Sequence, residues 1–82
     1  MVLDGSATLR DLETMYQIAL PRDEGFETLA GFILAKLQRL PRLGDYVDFE
    51  GRRFSVERME GMRIAKVKVD TLEPAPKELV NE

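Results

Sequence analysis

The side chains in this chain that could do chemistry are mostly carboxylates and cations. Asp23, Glu24 and Glu27 lie within five positions of one another and could hold Mg²⁺ through oxygen, the ligand that a hard cation prefers. A second set, Asp48, Glu50, Glu57 and Glu60, is spaced along a stretch that also carries Arg53, Lys66 and Lys68. Carboxylates so placed pair with basic neighbours across strands, each pair contributing about 0.2–1 kcal/mol. The sequence alone places no two of them as a general acid and a general base. Residues 51–69 hold six basic residues against two acidic ones, a local balance of +4 in a chain of net charge −3. A patch of that sign suits an acidic partner domain, anionic headgroups or nucleic acid.

What is missing narrows the chemistry further. The 82 residues include no His and no Cys. Ser-His and Cys-His pairs, thiolate zinc sites and disulfides are therefore excluded. The six glycines, at 5, 25, 31, 44, 51 and 61, are dispersed, and no G-x-G-x-x-G or Walker-type run exists. They read as turns, a close contact and a helix exit rather than a phosphate cradle. Nucleic acid is disfavoured, because the domain is acidic overall and its basic stretch has no set of aromatics for base stacking. The longest apolar run, Leu29 to Ala35 with Gly31 inside it, is far short of the roughly 20 residues that span a bilayer. The fragment is expected to be soluble and to lack a membrane span.

The elements that must position these groups follow from periodicity. Met1-Val-Leu-Asp-Gly5 reads as the end of a short strand closed by an Asp-Gly turn. Its abrupt start suggests a cut from a longer chain. Thr8 offers an N-cap, Asp11 suits the first turn, and Leu9, Leu12, Met15 and Tyr16 fall at helical spacing. This predicts a first helix from Leu9 to about Gln17, ended by Ile18-Ala-Leu-Pro21. Thr28 caps a second helix, whose core stripe is Leu29, Phe32, Ile33, Leu37 and Leu40, with Pro41 as its stop. Gly31 costs a helix interior about 1 kcal/mol relative to Ala. Close approach to a sheet would compensate that cost.

Alternating runs then predict three strands, turned at Glu50-Gly51 and Glu60-Gly61. Val47, Phe49, Phe54 and Val56 face inward. Tyr46, Asp48, Arg53 and Ser55 face outward. Ala65, Val67 and Val69 alternate with Lys66 and Lys68, which leaves Ile64 three positions from Val67 and on the outer face unless a bulge intervenes. The expected architecture is α+β, strand-helix-helix-strand-strand-strand, with both helices on one face of a small, mainly antiparallel sheet. Its core is expected to contain Leu9, Leu12, Phe32, Ile33, Leu37, Val47, Phe49, Phe54, Val56 and Val67. The domain is expected to span 1–70, with 71–82 a disordered tail.

The ordered run of motifs resembles a known family. Asp4-Gly5, Thr8-Leu9 and Leu12 are followed by Leu20-Pro21, Gly25-Phe26 and Thr28-Leu-Ala-Gly-Phe32. Leu40-Pro-Arg42, Gly44-Asp45, Phe49, Gly51, Phe54, Val56, Arg63-Ile64, Val67 and Val69 complete the series. Together they resemble the transporter-associated domain of the CorC/HlyC type. The resemblance implies a position after transmembrane and CBS segments, at the cytoplasmic face of the membrane, in hemolysin-like or magnesium/cobalt efflux proteins. It also implies a fold akin to a subdomain of PCMH-type FAD-binding folds, and it brings no catalytic residues.

Expected function is therefore a non-catalytic regulatory or interaction domain of such a protein. The alternative is a small-ligand sensor of an adenine nucleotide or FAD. No resident metal or cofactor is expected, with Asp23, Glu24 and Glu27 the weak metal candidates. The partner surface is placed on the outer sheet face at Tyr46, Arg53, Ile64, Lys66 and Lys68. Its occupant is expected to be the upstream CBS and transmembrane domains, or a second copy through an open sheet edge.

Overall fold

Two threonines start the helices. In the computed structural model, which describes residues 1–72, Thr8 is extended and its hydroxyl accepts the Asp11 N–H at 3.1 Å. That cap opens α1 (Leu9–Tyr16), and Thr28 opens α2 (Leu29–Leu37) the same way by accepting the Gly31 N–H at 3.1 Å. Both helices end at a glutamine in the left-handed region, Gln17 at φ 56° and Gln38 at φ 57°. The left-handed residue turns the chain back on the last carbonyls, so neither proline is the stop. After α1 the reversal sends Ile18 and Leu20 into the core. After α2 it leaves Leu40 outside the helical stripe, 64% exposed. Arg39 grips Asp45 through two bonds of 2.9 and 3.0 Å and closes the loop between α2 and the next strand.

The sheet is β1 (Val2–Asp4), β2 (Tyr46–Phe49), β3 (Arg52–Glu60) and β4 (Arg63–Thr71), in the order β1-β4-β3-β2. Every pairing is antiparallel. β4 takes in Thr71, one residue beyond the expected domain limit, and the Leu72 N–H donates to Gly51 O at 2.7 Å, so the first two residues of the expected tail are ordered; 73–82 lie outside the described residues. Glu50 and Gly51 both have positive φ, 49° and 82°, so β2 and β3 are joined by a two-residue turn of the kind whose twist suits a hairpin.

The expected alternation holds from that turn to Val56 opposite Val67, and then both strands slip. Glu57 is an extra residue on β3 and Ala65 an extra residue on β4, after which Met59 pairs with Ile64 in the original register. The slips compensate, and each moves the apolar phase by one position. Ile64 therefore faces inward and is 3% exposed, not on the outer face.

Phe32 of α2 is the centre of the core. Its ring meets Phe26, Phe49 and Phe54 edge to face at centroid distances of 5.5, 5.4 and 5.5 Å. Leu9, Leu12, Ile33, Val56 and Val67 are buried around it as expected, while Leu37, Val47 and Phe49 are half-buried against the rim. Leu3, Ile18, Leu20, Phe26 and Val69 join them.

The close glycine contact is not where the helix pattern put it. A Cβ on Gly31 would meet Phe26 Cβ at 3.1 Å and the Thr28 hydroxyl at 3.3 Å, both in the preceding loop rather than the sheet. Gly5 is the residue pressed on the sheet. A Cβ there would run into the Ile64 carbonyl. Its own N–H donates to Ala65 O at 2.9 Å, and its carbonyl accepts the Ala30 N–H at 2.9 Å.

Candidate functional site

The outer sheet face is built from three cross-strand rows. Val2, Lys68, Ser55 and Tyr46 form the central one. Asp70, Arg53 and Asp48 flank it on the side of the Gly51 turn, and Asp4, Lys66 and Arg58 on the other. Four of the five residues expected at a partner surface, Tyr46, Arg53, Lys66 and Lys68, thus come together. Ile64 is the correction, because the paired bulges turn it into the core.

Neighbours fix the electrostatics of this face. The Arg53 guanidinium stacks over the Tyr46 ring at 4.0 Å and forks onto both oxygens of Asp48 at 2.7 and 3.0 Å. That fork holds the Asp48 carboxyl below its ordinary value of 3.8 and raises Arg53 in turn. Asp4 is lowered too, first by the Ser6 backbone N–H and hydroxyl and then by Lys66, whose ammonium lies 3.6 Å away. Lys68 and Arg58 have no ion-pair partner among the described residues. Positive charge therefore concentrates at the centre and toward the bulged end.

The acidic loop is different. Asp23, Glu24 and Glu27 are all exposed, and Glu24 reaches Lys36 at 3.4 Å. No group of three potential metal ligands converges among the described residues.

Sequence reasoning missed a cleft of about 410 Å³ at the bulged end, between the Asp4–Ser6 turn and the start of α2 on one side and Arg63–Lys66 on the other. Its floor includes Ile64, Ala65 and Ala30. Asp4, Glu60, Arg63 and Lys66 line it with two charges of each sign. The first donors of α2 do not serve it, since Leu29 N–H goes to Ala7 O, Ala30 N–H to Gly5 O and Gly31 N–H to Thr28 Oγ1. The only advance signal was the offset between Ile64 and Val67, which marks the bulge that shapes the cleft.

Two helices on one face of a four-stranded antiparallel sheet, with a mixed polar outer face, define a small α+β module. Residues 1–73 match the family described as transporter associated domain, CorC_HlyC, and the chain belongs to that family. The family is defined by its association with transporters, not by a reaction. A polyamine export protein of Salmonella typhimurium is 30% identical over 82 residues, covering 93% of this chain and 18% of that protein. This chain therefore spans less than a fifth of that relative. A conserved domain from Neisseria meningitidis superposes with a TM-score of 0.79 at 34% identity, covering 89% of this chain and 97% of that one. The CorC_HlyC domain of a Xylella fastidiosa hemolysin, solved in complex with Mg²⁺ and Mn²⁺, gives 0.76 at 26% identity over 88% of this chain and 86% of that one. No helix among the described residues is long and apolar enough to cross a membrane.

Proposed function

We propose that this chain is a non-catalytic regulatory domain of a larger cation-exporting membrane protein, docked at the cytoplasmic face on neighbouring domains of the same polypeptide. One observation carries this reading. Nearly the whole chain matches a small fraction of an export protein, while its own residues include no His or Cys with which to assemble a reaction centre. The cargo is a cation, a polyamine as in the Salmonella relative or Mg²⁺ and Co²⁺ as the family resemblance implies. The docking surface is the outer sheet face, where Tyr46 and Arg53 supply the residue types favoured at contacts. Lys68 and Lys66 set orientation and association rate. CBS-type domains are the expected partner.

Reversal of Lys66 and Lys68 to Glu in the full-length protein tests it. The melting temperature of the isolated domain should change little, because exposed charges contribute little to stability. Export of labelled polyamine, and of Co²⁺, should change in cells. Unaltered export of both would remove the outer face as the docking surface.

A small-ligand sensor is the second reading, and the cleft beside Ile64 favours it, since about 410 Å³ falls within the usual range for ligand sites. Adenine nucleotides and FAD are its candidate ligands. A thermal shift with either, lost on Arg63→Ala, would move the function to the cleft. An unshifted melt with all of them would leave the docking module alone.

A further inference from the structure

The two edges of the sheet are not equally open. At β1 the outward Asp4 carbonyl is taken by the chain itself, accepting the Ala7 N–H at 3.0 Å. β2 has no such cover among the described residues. Its two-residue turn makes Phe49 and Arg52 the hydrogen-bonded closing pair, so Phe49 and Val47 direct their backbone groups to β3. Tyr46 and Asp48 then direct theirs away from the sheet. β2 carries no proline, no lysine and no charge on its inner face.

We propose that β2 pairs antiparallel with β2 of a second copy of this chain, joining two sheets into one across a twofold axis at Val47. One register engages both outward-facing residues of each copy. The outward backbone groups belong to Tyr46 and Asp48, so these must face each other in reciprocal hydrogen-bonded pairs. Side chains directly opposite must also share a face, and Tyr46 and Asp48 both lie on the outer one. Tyr46 opposite Asp48 of the second copy satisfies both conditions, and it sets Val47 opposite Val47 on the inner face.

Charge agrees with that register. Arg53 already lies over Tyr46 and against its own Asp48. The pairing brings Asp48 of the second copy beside the same Tyr46, so each guanidinium lies between two carboxylates. On the inner face, half-buried Val47 and Phe49 gain apolar cover that one copy leaves open. This edge is separate from Lys66 and Lys68, so reversing those lysines should leave the pairing intact.

The chain has no cysteine, which makes single-cysteine cross-linking a test of register. Residues opposite each other in a non-hydrogen-bonded pair have Cα atoms about 4.5 Å apart, within the span a disulfide bridges. Val47→Cys should therefore cross-link under mild oxidation to a covalent dimer. Tyr46→Cys, displaced from its own copy by two residues along the strand, should cross-link at least tenfold more slowly. Equal rates for the two variants, or none for either, would overturn the register. For the unmodified chain, sedimentation should show a concentration-dependent dimer, and exchange of the Tyr46 and Asp48 amide protons should slow as concentration rises. A monomer throughout, or protection of those amides independent of concentration, would assign the edge to solvent or to another segment and overturn the proposal.

Discussion

The two ends of the β3–β4 hairpin obey different rules. Next to Gly51, strict alternation holds through Arg52, Phe54 and Val56 on one strand and Val67, Val69 and Thr71 on the other. Beyond Val56 and Val67 one residue bulges out of each strand, and the apolar phase resumes three positions on, at Met59 and Ile64. The even end carries Arg53 on its outer face beside Tyr46 and Asp48 of β2. The bulged end admits Gly5 against its backbone and lines the cleft. Paired bulges thus divide a single hairpin into an evenly alternating end and an end that lines a cleft.

The most severe way to break this difference is Ile64→Ala. A buried Ile truncated to Ala costs about 2–5 kcal/mol, because lost burial and a residual cavity add. A side chain on the solvent face would cost about 0.5 kcal/mol or less. Urea unfolding of the variant separates the two, and a change at the lower figure would place Ile64 outside and dissolve the bulge.

Gly5→Ala should come next, at about 1–3 kcal/mol, since an added Cβ meets the Ile64 carbonyl and a backbone must yield. Gly31→Ala is the companion measurement. Its Cβ would meet a side chain and a hydroxyl at 3.1 and 3.3 Å, and replacing a mid-helix glycine recovers about 1 kcal/mol of propensity. The net change should stay within about 1 kcal/mol of the parent. If Gly31→Ala proves the more damaging of the two, the close approach lies in α2 after all.

These contrasts show what was legible beforehand. The N-caps at Thr8 and Thr28, the Glu50-Gly51 turn and the inward phase of Val47, Phe54 and Val56 follow from local chemistry, so residue types alone revealed them. The end of α1 was legible to within a residue, but the end of α2 was not, because a glutamine adopting the left-handed region leaves no mark as a glycine would, and Pro41 drew that stop too late. Ile64 was misplaced for a related reason. A bulge compensated on the partner strand restores the register, so the chain shows only an anomalous three-residue spacing with no cue to its resolution. On the outer face, Tyr46, Arg53, Lys66 and Lys68 were legible from alternation, whereas the Arg53 stack and fork require the cross-strand register. The cleft was illegible, since its walls come from residues about 60 positions apart that only the β1–β4 pairing brings together.

The smallest expected effect lies in acid, and it compares the same two ends through their carboxylates. Asp48 at the even end is lowered by the Arg53 fork, and Asp4 at the bulged end by Ser6 and then Lys66. Asp45, in the loop before β2, is lowered by Arg39 and by the Arg42 N–H. A group whose folded value is depressed stabilises the fold above its unfolded value and loses that contribution as pH falls through the folded one. All three therefore point the same way: stability should be level above the ordinary aspartate value of 3.8 and decline below it. Chemical unfolding at several acid pH values should show the decline flattened in part by Asp48→Asn and in part by Asp4→Asn. Salt should weaken the Asp48 contribution more, because its largest cause is a bond to a charged group, while that of Asp4 is a bond to a backbone N–H. Equal salt sensitivity at the two sites would mean that Lys66, and not the Ser6 turn, governs Asp4, and the bulged end would then be held by charge in the same way as the even one.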